Sequence, residues 1–492
     1  MLQGISKIEL ENSIELYWGL GQGVTEVAGA GQVIKAERTH IRFDELQPDT
    51  EYEFIVKTID SIETVKARTL PQWARIDVTK APYNCVGDGK TLNTTGLQAA
   101  IDDCKIGQCV YVPEGTFLTG ALNLHSDMVL YVAEGATLQG TSELQDYLPK
   151  IHSRFEGTEM ECYRSLLNMG TLDRNDDYNC QNVIITGSGS ILGGGFDLMM
   201  NTINFERERL KEEIAALGDE IKTYENENTI PGRFRGRLIN MSNCNHILIS
   251  GLTLGDGASW NVHFIYSNDI VTNRCKFVSE GVWNGDGWDP DSSSNCTIFG
   301  CEFHTEDDSV AIKSGKNPEG NEVNRPTRNI NIFDNYSHYG HGLCIGSEMS
   351  GGVEDVNIWD CHMGDSLSGI EIKATKKRGG FVRDIHVENV VTSHVMFHAV
   401  GYNDDGIGAE HPPVLEDCTF KNMQIYGELY DAKHEYHECD AIELIGFDEP
   451  GYEVRNVEFE DLVLGKPGKE GRTQRLSLGL VEGISFRNVR CV

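Results

Sequence analysis

The sequence predicts an all-β protein, in which a right-handed parallel β-helix follows a small N-terminal β-sandwich. Residues 1–70 contain runs that alternate between apolar and polar residues, such as 52–59, which is typical of strands in a sandwich. From about residue 75 onward, a short apolar run that ends in Gly, Asn or Asp recurs along the chain. These two patterns predict a first domain over residues 1–72 and a second over residues 73–492.

The N-terminal segment carries two further signs of a sandwich. Leu46–Tyr52 resembles the corner of fibronectin type III domains, in which a Tyr packs at the entry to a strand. Trp18 lies in an alternating run and suits the buried aromatic position of such a fold. We therefore expect a fibronectin type III-like module that ends near Thr69-Leu70-Pro71.

The repeats after residue 75 do not suit a sandwich or a βαβ fold. A sandwich would show turn signals about every 8–12 residues, and a βαβ fold would need amphipathic helices between its strands. From residue 246 onward, successive repeats begin 23 to 39 residues apart, which favours coils that stack along an axis and bury apolar residues inside. The repeats are 182–187, 246–251, 269–273, 295–300, 329–334, 355–360, 384–389, 417–422, 456–461 and 483–488.

The 14 cysteines are scattered and do not form the closely spaced framework of a disulfide-rich domain. We expect reduced thiols that pack as small apolar residues. Those at apolar positions of the repeats include Cys244, Cys296, Cys301, Cys361 and Cys418.

The charge balance excludes several classes of partner. Lys and Arg number 42 and Asp and Glu number 76, so the net charge is −34, and we expect no nucleic acid partner because such a surface repels phosphates. No apolar stretch of about 18 residues is present, so we expect no membrane span. The N-terminus lacks the basic and apolar regions of a signal peptide, which predicts a cytoplasmic protein, or a secreted one if a leader was removed.

One segment departs from the strand pattern. Residues 205–226 are charged and carry Leu210, Ile214, Leu217 and Ile221 at helical spacing. A helical insertion is predicted here, either as a surface element between coils or as a wall at one end of a binding site.

Acidic residues recur about one coil apart in the middle of the predicted β-helix. Asp308, of the pair Asp307 and Asp308, follows Asp286 by 22 residues, and His341 and Lys373 come after further intervals of 33 and 32 residues. Polar side chains at equivalent places of stacked coils share one face, so we expect these groups to lie together. Two carboxylates can cleave a glycosidic bond, because one protonates the leaving oxygen and the other activates water. Crowding also raises carboxyl pKa values, which keeps one group protonated near neutral pH.

Each of these residues alone has a simpler interpretation. An Asp-Asp pair is usually a solvated turn or a cation site, and Ca²⁺ binding is a rival function for an Asp-rich β-helix surface. The order and the coil spacing of the four elements together favour catalysis.

The same elements resemble the blocks of the polygalacturonase family, the pectin-cleaving glycoside hydrolase family 28. That family carries Asn-Thr-Asp, Gly-Asp-Asp, Gly-His-Gly and Arg-Ile-Lys in this order, and the chain has similar tripeptides at 284–286, 306–308, 340–342 and 371–373. The resemblance covers about residues 75–492. The flanking segments 289–293, 311–315 and 378–380 are similar as well.

The resemblance implies a role for each residue of the blocks. Asp307 would be the general acid, and Asp286 and Asp308 would position and deprotonate a water molecule. His341 would support the acid through a hydrogen bond, and Lys373 would pair with a carboxylate of a pectic oligosaccharide substrate. The implied reaction is an inverting, single displacement, for which the carboxyl groups stand about 6.5–9.5 Å apart. No metal or cofactor is implied.

Further residues are candidates for substrate binding. The run 346–352 is most similar to exo-acting members of the family, and within it Glu348 could hydrogen-bond a terminal sugar. Asn284 belongs to the first block, and Trp260 and His263 lie in a segment similar to the floor of the family's groove.

One departure from the family concerns charge. Glu371 stands where the family has Arg, and it would repel a sugar carboxylate. The neighbouring sugar would then be neutral, or its carboxylate would be met by another base such as Lys376, Lys377 or Arg378. A local basic patch, which could gather an anionic sugar or pair with surface carboxylates, consists of Arg233, Arg235 and Arg237.

These observations leave more than one function open. The leading hypothesis is an exo-polygalacturonase-like hydrolase of pectin-derived oligogalacturonides, since so acidic a protein favours short substrates over a long polyanion. The second applies the same mechanism to a rhamnogalacturonan-type or otherwise decorated pectic oligosaccharide, as Glu371 suggests. The others are a β-helical carbohydrate-binding protein without turnover and a Ca²⁺-dependent lyase.

Overall fold

The computed structural model describes residues 2, 4–175, 177–223, 232, 234–399, 406–430, 435–468 and 475–492. Within these residues the chain divides into two units. The first consists of Met1–Ile76 with Cys104–Cys109, and the second consists of Asp77–Asp103 with Val110–Val492. The strands Ala74–Asp77 and Gln108–Val112 each include residues of both units.

The first unit is built from antiparallel sheets, as the alternating runs predict. One sheet orders the strands Ile5–Glu9, Ile14–Trp18 and His40–Phe43, and another orders Gln32–Lys35, Val24–Gly29, Glu51–Thr58 and Ile62–Arg68. Trp18 is buried in the core of this unit with Phe43 and Phe54. The hydroxyl of Tyr52 accepts a hydrogen bond from the backbone N–H of Gln47, at 2.9 Å, which fixes the corner that the sequence indicates.

The second unit is a parallel β-helix, which confirms the predicted fold class. Strands of successive coils pair in register, so that Trp288 pairs with Val310, Val310 with Leu343, and Leu343 with Ile370. One ladder of strands, here called the site sheet, consists of Leu122–Leu124, Leu167–Met169, Ile239–Ser242, Val262–Ile265, Trp288–Asp291, Val310–Ile312, Leu343–Ile345, Ile370–Ala374, Val395–Ala399, Ile442–Ile445 and Leu476–Gly479. The other ladders contain Asp88–Leu92, Gly115–Thr119, Met128–Val132, Ala136–Gly140, Cys180–Gly187, Ser190–Leu192, Cys244–Ser250, Thr253–Gly255, Asn268–Asn273, Lys276–Ser279, Ser294–Phe299, Glu302–Thr305, Thr327–Phe333, Tyr336–Tyr339, Val353–Trp359, His362–Met363, Phe381–Glu388, Val391–Thr392, Val414–Ile425, Val454–Leu464, Val481–Glu482 and Ser485–Cys491.

Left-handed backbone at the coil corners explains why Asn and Asp recur in the sequence. Asn182, Asp269 and Asn295, which each open a repeat, have φ of 59°, 53° and 58°. Asn and Asp tolerate this conformation because their short polar side chains bond locally. The corners also form side-chain ladders, since Asn329 donates to Asn295 and Asn295 donates to Asn268, each at 2.6 Å.

Aromatic residues at equivalent positions of successive coils stack inside the β-helix. Phe299 lies on Phe333 with ring centroids 4.7 Å apart, and Phe333 lies on Trp359 at 4.4 Å. Such pairs add about 0.5–1.5 kcal/mol each beyond the burial of apolar area.

All the cysteines are free, and every one except Cys439 and Cys491 is buried, as the scattered spacing predicts.

Helices and hairpins interrupt the repeating strands. The α-helices are Thr94–Asp103, Gly195–Arg209, Lys211–Ala216 and Glu319–Val323, and the 3-10 helices are Leu20–Gln22, Leu144–Tyr147 and Gly218–Thr223. Antiparallel strand pairs are formed by Ile151–Phe155 with Thr158–Cys162 and by Glu428–Tyr430 with Tyr436–Glu438. In the part of the chain that the structure describes, no helix has the length and apolar character needed to cross a membrane.

The predicted helical insertion begins earlier in the structure than in the sequence analysis. The helix Gly195–Arg209 starts before the predicted segment 205–226, of which residues 224–226 lie outside the described residues. Its apolar face packs in a cluster that includes Val282, four residues before Asp286. The charge pattern begins only at residue 205, because the first turns of the helix carry few charged residues and bury Leu198, Met199 and Ile203.

Candidate active site

The predicted acids lie on turns that lead into the site sheet. Asp286, the pair Asp307 and Asp308, and His341 precede three strands that are consecutive in this sheet. Lys373 lies on the next strand. The structure therefore brings together all the elements that the coil spacing predicts.

His341 bridges the two adjacent acids. Its Nδ1 atom lies 3.0 Å from Oδ1 of Asp307 and 3.3 Å from Oδ1 of Asp308. The side chains of Asp307 and His341 are 25% and 38% exposed, whereas that of Asp308 is 3% exposed. Lys373 Nζ donates to both carboxylate oxygens of Asp308, at 2.8 and 3.0 Å. Lys373, predicted to pair with a substrate carboxylate, thus pairs with Asp308 in the structure.

Opposite charges set the protonation states of this cluster. Burial lowers the pKa of His341, but the carboxylates of Asp307 and Asp308 outweigh burial and raise it to about 10. Burial raises the pKa of Asp308, but Lys373 and His341 outweigh it and hold the pKa well below its usual value. At neutral pH the cluster therefore contains an imidazolium and an ionised Asp308.

A second cluster centres on Lys313, which directly follows the strand Val310–Ile312. Its Nζ atom lies 3.3 Å from Oδ2 of Asp286, 3.8 Å from Oδ1 of Asp289 and 3.5 Å from Oε2 of Glu348. This places Glu348, a candidate for sugar binding, beside the acid of the first block.

Sequence analysis missed Lys313 and Asp289 as site residues, although both lie in segments that flank the family blocks. An isolated bridge pairs Lys313 with Asp291, so the lysine lies one coil from an acid-rich strand. A lysine that follows acidic residues in the sequence by about the length of one coil is the signal that would have identified Lys313.

Burial and mutual repulsion raise the pKa of both carboxyls near Lys313. Burial is the larger cause for Asp286, and the neighbouring Asp289 adds to it, so the pKa lies well above its usual value. Burial raises the pKa of Asp289 to about 8, although Lys313 acts in the opposite direction. Near neutral pH this pair therefore retains a proton, and the shorter distance from Lys313 to Asp286 favours the charge on Asp286.

Trp260 and His263 lie beneath the site. Both are buried, and the ring of Trp260 lies 4.8 Å from Nζ of Lys313. Arg237 donates to Nδ1 of His263 at 3.2 Å, and Nε2 lies 3.2 Å from Asp291, so both ring nitrogens are occupied. Burial lowers the pKa of His263 to about 4, which leaves the ring neutral. The structure thus places these two residues as support for the site and not in a position to contact substrate directly.

The predicted basic patch is buried. Arg235 and Arg237 are almost fully buried, and Arg233 lies outside the described residues. Arg235 donates to Oδ1 of Asn284 at 2.9 Å, which fixes the turn that carries Asp286. Burial lowers the pKa of Arg235 to about 9, against the effect of Asp286. Arg235 and Arg237 therefore support the site from the interior of the protein and do not form an exposed surface for an anionic sugar.

Arg378 also acts from within the protein. It is fully buried, and its Nε donates to the backbone oxygen of Ser347 at 3.1 Å. Burial raises the pKa of the next residue, Glu348, but Lys313 and Arg378 outweigh burial and lower it. Arg378 therefore positions the turn of Glu348 and keeps that carboxylate ionised.

A hairpin over residues 151–162, which the sequence analysis did not predict, packs beside Lys313 and Glu348. Phe155 stacks on Trp260 with ring centroids 5.2 Å apart, and Arg154 donates to Oδ1 of Asp291 at 2.7 Å. Both side chains are buried, so the hairpin is firmly anchored.

The tip of this hairpin meets the loop of Glu348. The backbone oxygen of Gly157 accepts a hydrogen bond from the N–H of Lys316 at 2.9 Å. A Cβ atom placed on Gly157 would lie 2.9 Å from Cγ of Glu348. The hairpin therefore covers the site on the side of Glu348.

Glu371 lies on the site sheet in register with Cys344. It is 8% exposed, and the thiol of Cys344, 3.8 Å from Oε2, is its one hydrogen-bond partner among the described residues. The carboxylate that replaces the family Arg therefore retains free acceptor atoms close to Lys373, two residues away on the same strand.

Two groups of side chains in the described ranges offer ligand atoms within 4.8 Å of one another. They are Asp307, Asp308 and His341, and Glu302, His304 and His338. In the first group a metal would have to displace the proton that His341 shares with the two acids.

Comparison with known proteins finds relatives in the family that the motifs resemble. The model of the family described as glycosyl hydrolases family 28 matches residues 200–436. The exo-poly-alpha-D-galacturonosidase of Dickeya chrysanthemi is 28% identical over 421 residues, which cover 78% of this chain and 68% of the relative. A probable polygalacturonase of Vitis vinifera is 31% identical over 360 residues, which cover 69% of this chain and 67% of the relative.

Solved structures show the same architecture. A hyperthermoactive exopolygalacturonase from Thermotoga maritima has a TM-score of 0.69 at 25% identity and covers 85% of this chain and 91% of its own. A family 28 exopolygalacturonase from Yersinia enterocolitica is similar in fold, with a TM-score of 0.77 at 22% identity. The aligned residues cover 99% of this chain and 96% of the Yersinia chain.

Proposed function

Since the chain belongs to glycosyl hydrolases family 28, we propose that it is an exo-acting polygalacturonase that releases galacturonate from pectin-derived oligogalacturonides. The observation that carries this proposal is the convergence of Asp286, Asp307, Asp308 and His341 on consecutive turns of one sheet. The names of the Dickeya chrysanthemi and Vitis vinifera relatives support the substrate class. The reaction is a single displacement with inversion at the anomeric carbon.

Asp307 acts as the general acid, and in the reacting complex its carboxyl carries the proton that passes to the leaving oxygen. Its side chain is 25% exposed, far more than those of Asp286 and Asp308, so it can reach the oxygen of the bond to be cleaved. The imidazolium of His341, 3.0 Å away, holds the carboxyl in place and stabilises the carboxylate that forms once the proton has moved.

Asp286 and Asp308 hold the attacking water between them. Asp308 orients the water but is a weak base, because Lys373 and His341 hold its pKa low. Asp286 is the stronger base, because burial and the neighbouring Asp289 raise its pKa. The proton of the water therefore passes to Asp286 as the oxygen attacks the sugar.

The hairpin tip at Gly157 supports exo action. It packs against Glu348 and Lys316, where it would stop further sugar units from extending in that direction. A terminal sugar would then end at Glu348, whose ionised carboxylate can accept hydrogen bonds from its hydroxyl groups.

The test is product analysis on digalacturonate and trigalacturonate, with Asp307→Asn as the impaired control. We expect monomer from both substrates at the earliest time points, and proton NMR should show the anomer inverted relative to the cleaved bond. Absence of monomer, or retention of configuration, would contradict the proposal.

A second candidate is the same mechanism on a mixed pectic oligosaccharide of the rhamnogalacturonan type. The observation that favours it is Glu371, a buried carboxylate with a thiol as its described partner. Such a group repels a galacturonate carboxylate and accepts hydrogen bonds from the hydroxyls of a neutral sugar.

Comparison of the wild-type protein with Glu371→Arg and Glu371→Gln on both substrates separates the two candidates. If the mixed substrate is preferred, Glu371→Arg should move the preference towards trigalacturonate by tenfold or more, and Glu371→Gln should move it less. If neither variant changes the preference, Glu371 is not the determinant.

A further inference from the structure

Backbone hydrogen bonds and burial of the side chain hold Lys313 in a fixed position, unlike an ordinary surface lysine. Its N–H donates to the backbone oxygen of Pro290 at 2.8 Å, and its own oxygen accepts from the N–H of Ser292 at 3.1 Å. Its side chain is 4% exposed and lies against the ring of Trp260. The ammonium group therefore occupies a fixed position within the site.

This ammonium group forms an ion pair with Asp286. The Nζ atom of Lys313 lies 3.3 Å from Oδ2 of Asp286. Arg235 adds positive charge from beneath, while its guanidinium donates to Asn284 and to the backbone oxygen of Trp283.

The other charged groups that face Asp286 are acidic. They are Asp289, on the strand that follows Asp286, and Asp307 and Asp308, on the turn of the next coil, while Glu348 competes for the same ammonium group. The remaining cations, His341 and Lys373, are engaged by Asp307 and Asp308. Without Lys313, the charge of Asp286 would lie buried close to several acids, with Arg235 beneath it as the counter-charge, and a carboxyl in that position takes up a proton more readily.

We infer that Lys313 is a positioning residue of the reaction, whose ammonium group keeps Asp286 free to accept the proton of the attacking water. The inference rests on the proposed function. Lys313 also pairs with Glu348, so it fixes the base relative to the carboxylate that meets the terminal sugar.

Loss of Lys313 should change the pH dependence in one direction. Burial and Asp289 already raise the pKa of Asp286, and removal of the opposing cation raises it further. The base works only when it is deprotonated. The acid limb, which is the low-pH side of the profile of kcat/KM against pH, should therefore move to higher pH.

The experiment records kcat/KM on trigalacturonate against pH for wild type, Lys313→Met and Lys313→Arg. We expect the acid limb of Lys313→Met to lie about one pH unit or more above that of wild type, with kcat about 10²-fold lower and KM little changed. Lys313→Arg keeps the charge, so its limb should stay close to the wild-type limb. Lys421→Met is the matched control, because Lys421 pairs with Glu460 at 3.6 Å on the exposed surface.

An acid limb that stays at the wild-type position in a folded Lys313→Met protein would overturn the inference. Glu348→Gln gives an opposite test that holds even if Lys313→Met does not fold. It removes an anion that competes for Lys313, so the limb should move to lower pH, and a limb that stays or moves up would contradict the inference.

These experiments distinguish an incorrect substrate proposal from an incorrect role for Lys313. Wild-type protein that is inactive on trigalacturonate would contradict the substrate, and the same profiles on a rhamnose–galacturonate oligosaccharide would then test Lys313. Activity of the wild type with unmoved limbs in both variants would contradict only the role of Lys313.

Discussion

Lys373 donates to both carboxylate oxygens of Asp308, at 2.8 and 3.0 Å, and the two side chains are 8% and 3% exposed. An intact pair of this kind contributes little net stability, because the cost of removing both charges from water offsets their attraction. Loss of one partner is different, because it leaves the other charge buried and uncompensated.

Lys373→Met should therefore lower the free energy of unfolding at pH 7 by about 3 kcal/mol. Because the folded-state pKa of Asp308 is depressed, the stability from this pair is fully present above the unfolded pKa of about 3.9 and declines as the pH falls from there. Urea unfolding between pH 7 and pH 3 measures the effect, and the deficit of the variant should shrink below about pH 4. The double variant Lys373→Met/Asp308→Asn should recover part of the loss, and a deficit that does not change with pH would contradict the assignment.

His341 should remain protonated throughout the neutral range. Its folded-state pKa of about 10 lies above the unfolded value of about 6.5, so its stabilising contribution is complete below pH 6.5 and is lost as the pH rises through 10. The stability difference between wild type and His341→Gln should be constant below about pH 6 and should shrink between pH 7 and pH 10. NMR of the ring should show no titration of His341 between pH 5 and pH 8, and an inflection near pH 6.5 would count against it.

Asp307→Asn should lower kcat on trigalacturonate about 10³-fold, because proton delivery to the leaving oxygen is lost. The loss should be much smaller on an aryl galacturonide with an acidic leaving group, which departs without protonation. Asp286→Asn should impair both substrates alike, since each needs an activated water. Steady-state kinetics on the two substrates measures the difference, and equal impairment by Asp307→Asn would rule out its role as the acid.

Gly157→Ala should displace the hairpin tip. Gly157 has φ of +75°, and an added Cβ would lie 2.6 Å from Cβ of Lys316. Gly31→Ala is the matched control, because Gly31 has φ of +76° with nothing within 4 Å, so it reports backbone strain alone, about 1 kcal/mol. We expect Gly157→Ala to lose more stability than the control and to raise KM for digalacturonate several-fold. A wild-type KM in Gly157→Ala would show that the tip does not shape the sugar site.

The sequence predicts those parts of the structure that follow from local rules. Asn182 and Asp269 mark coil corners because the left-handed backbone there favours their side chains, and that preference is visible in the sequence alone. Asp286 and His341 come together because equal places on successive coils stack, so counting residues between them was sufficient.

The remaining parts depend on contacts between distant segments. The hairpin at 151–162 reaches the site because Arg154 pairs with Asp291, 137 residues later, and no local pattern indicates that pairing. His263 lies on the predicted sheet, but Arg237 and Asp291 occupy both of its ring nitrogens, and no local pattern indicates these partners. The role of Lys313 is not visible in the sequence for the same reason, since its partners lie on two other coils.

Asp286, the pair Asp307 and Asp308, and His341 are supplied by successive coils, and paired strands of neighbouring coils are about 4.8 Å apart. The distance between Asp286 and Asp308 is therefore fixed by the number of coils, here called rungs, that separate them. Longer or shorter turns on the outside of the β-helix would leave this distance unchanged. Gain or loss of a complete rung between them would displace the water by a full step and would alter the stereochemical course. Chains of this architecture can thus diversify the sugars they accept through outer segments, while the dimension that governs inversion is inherited with the scaffold.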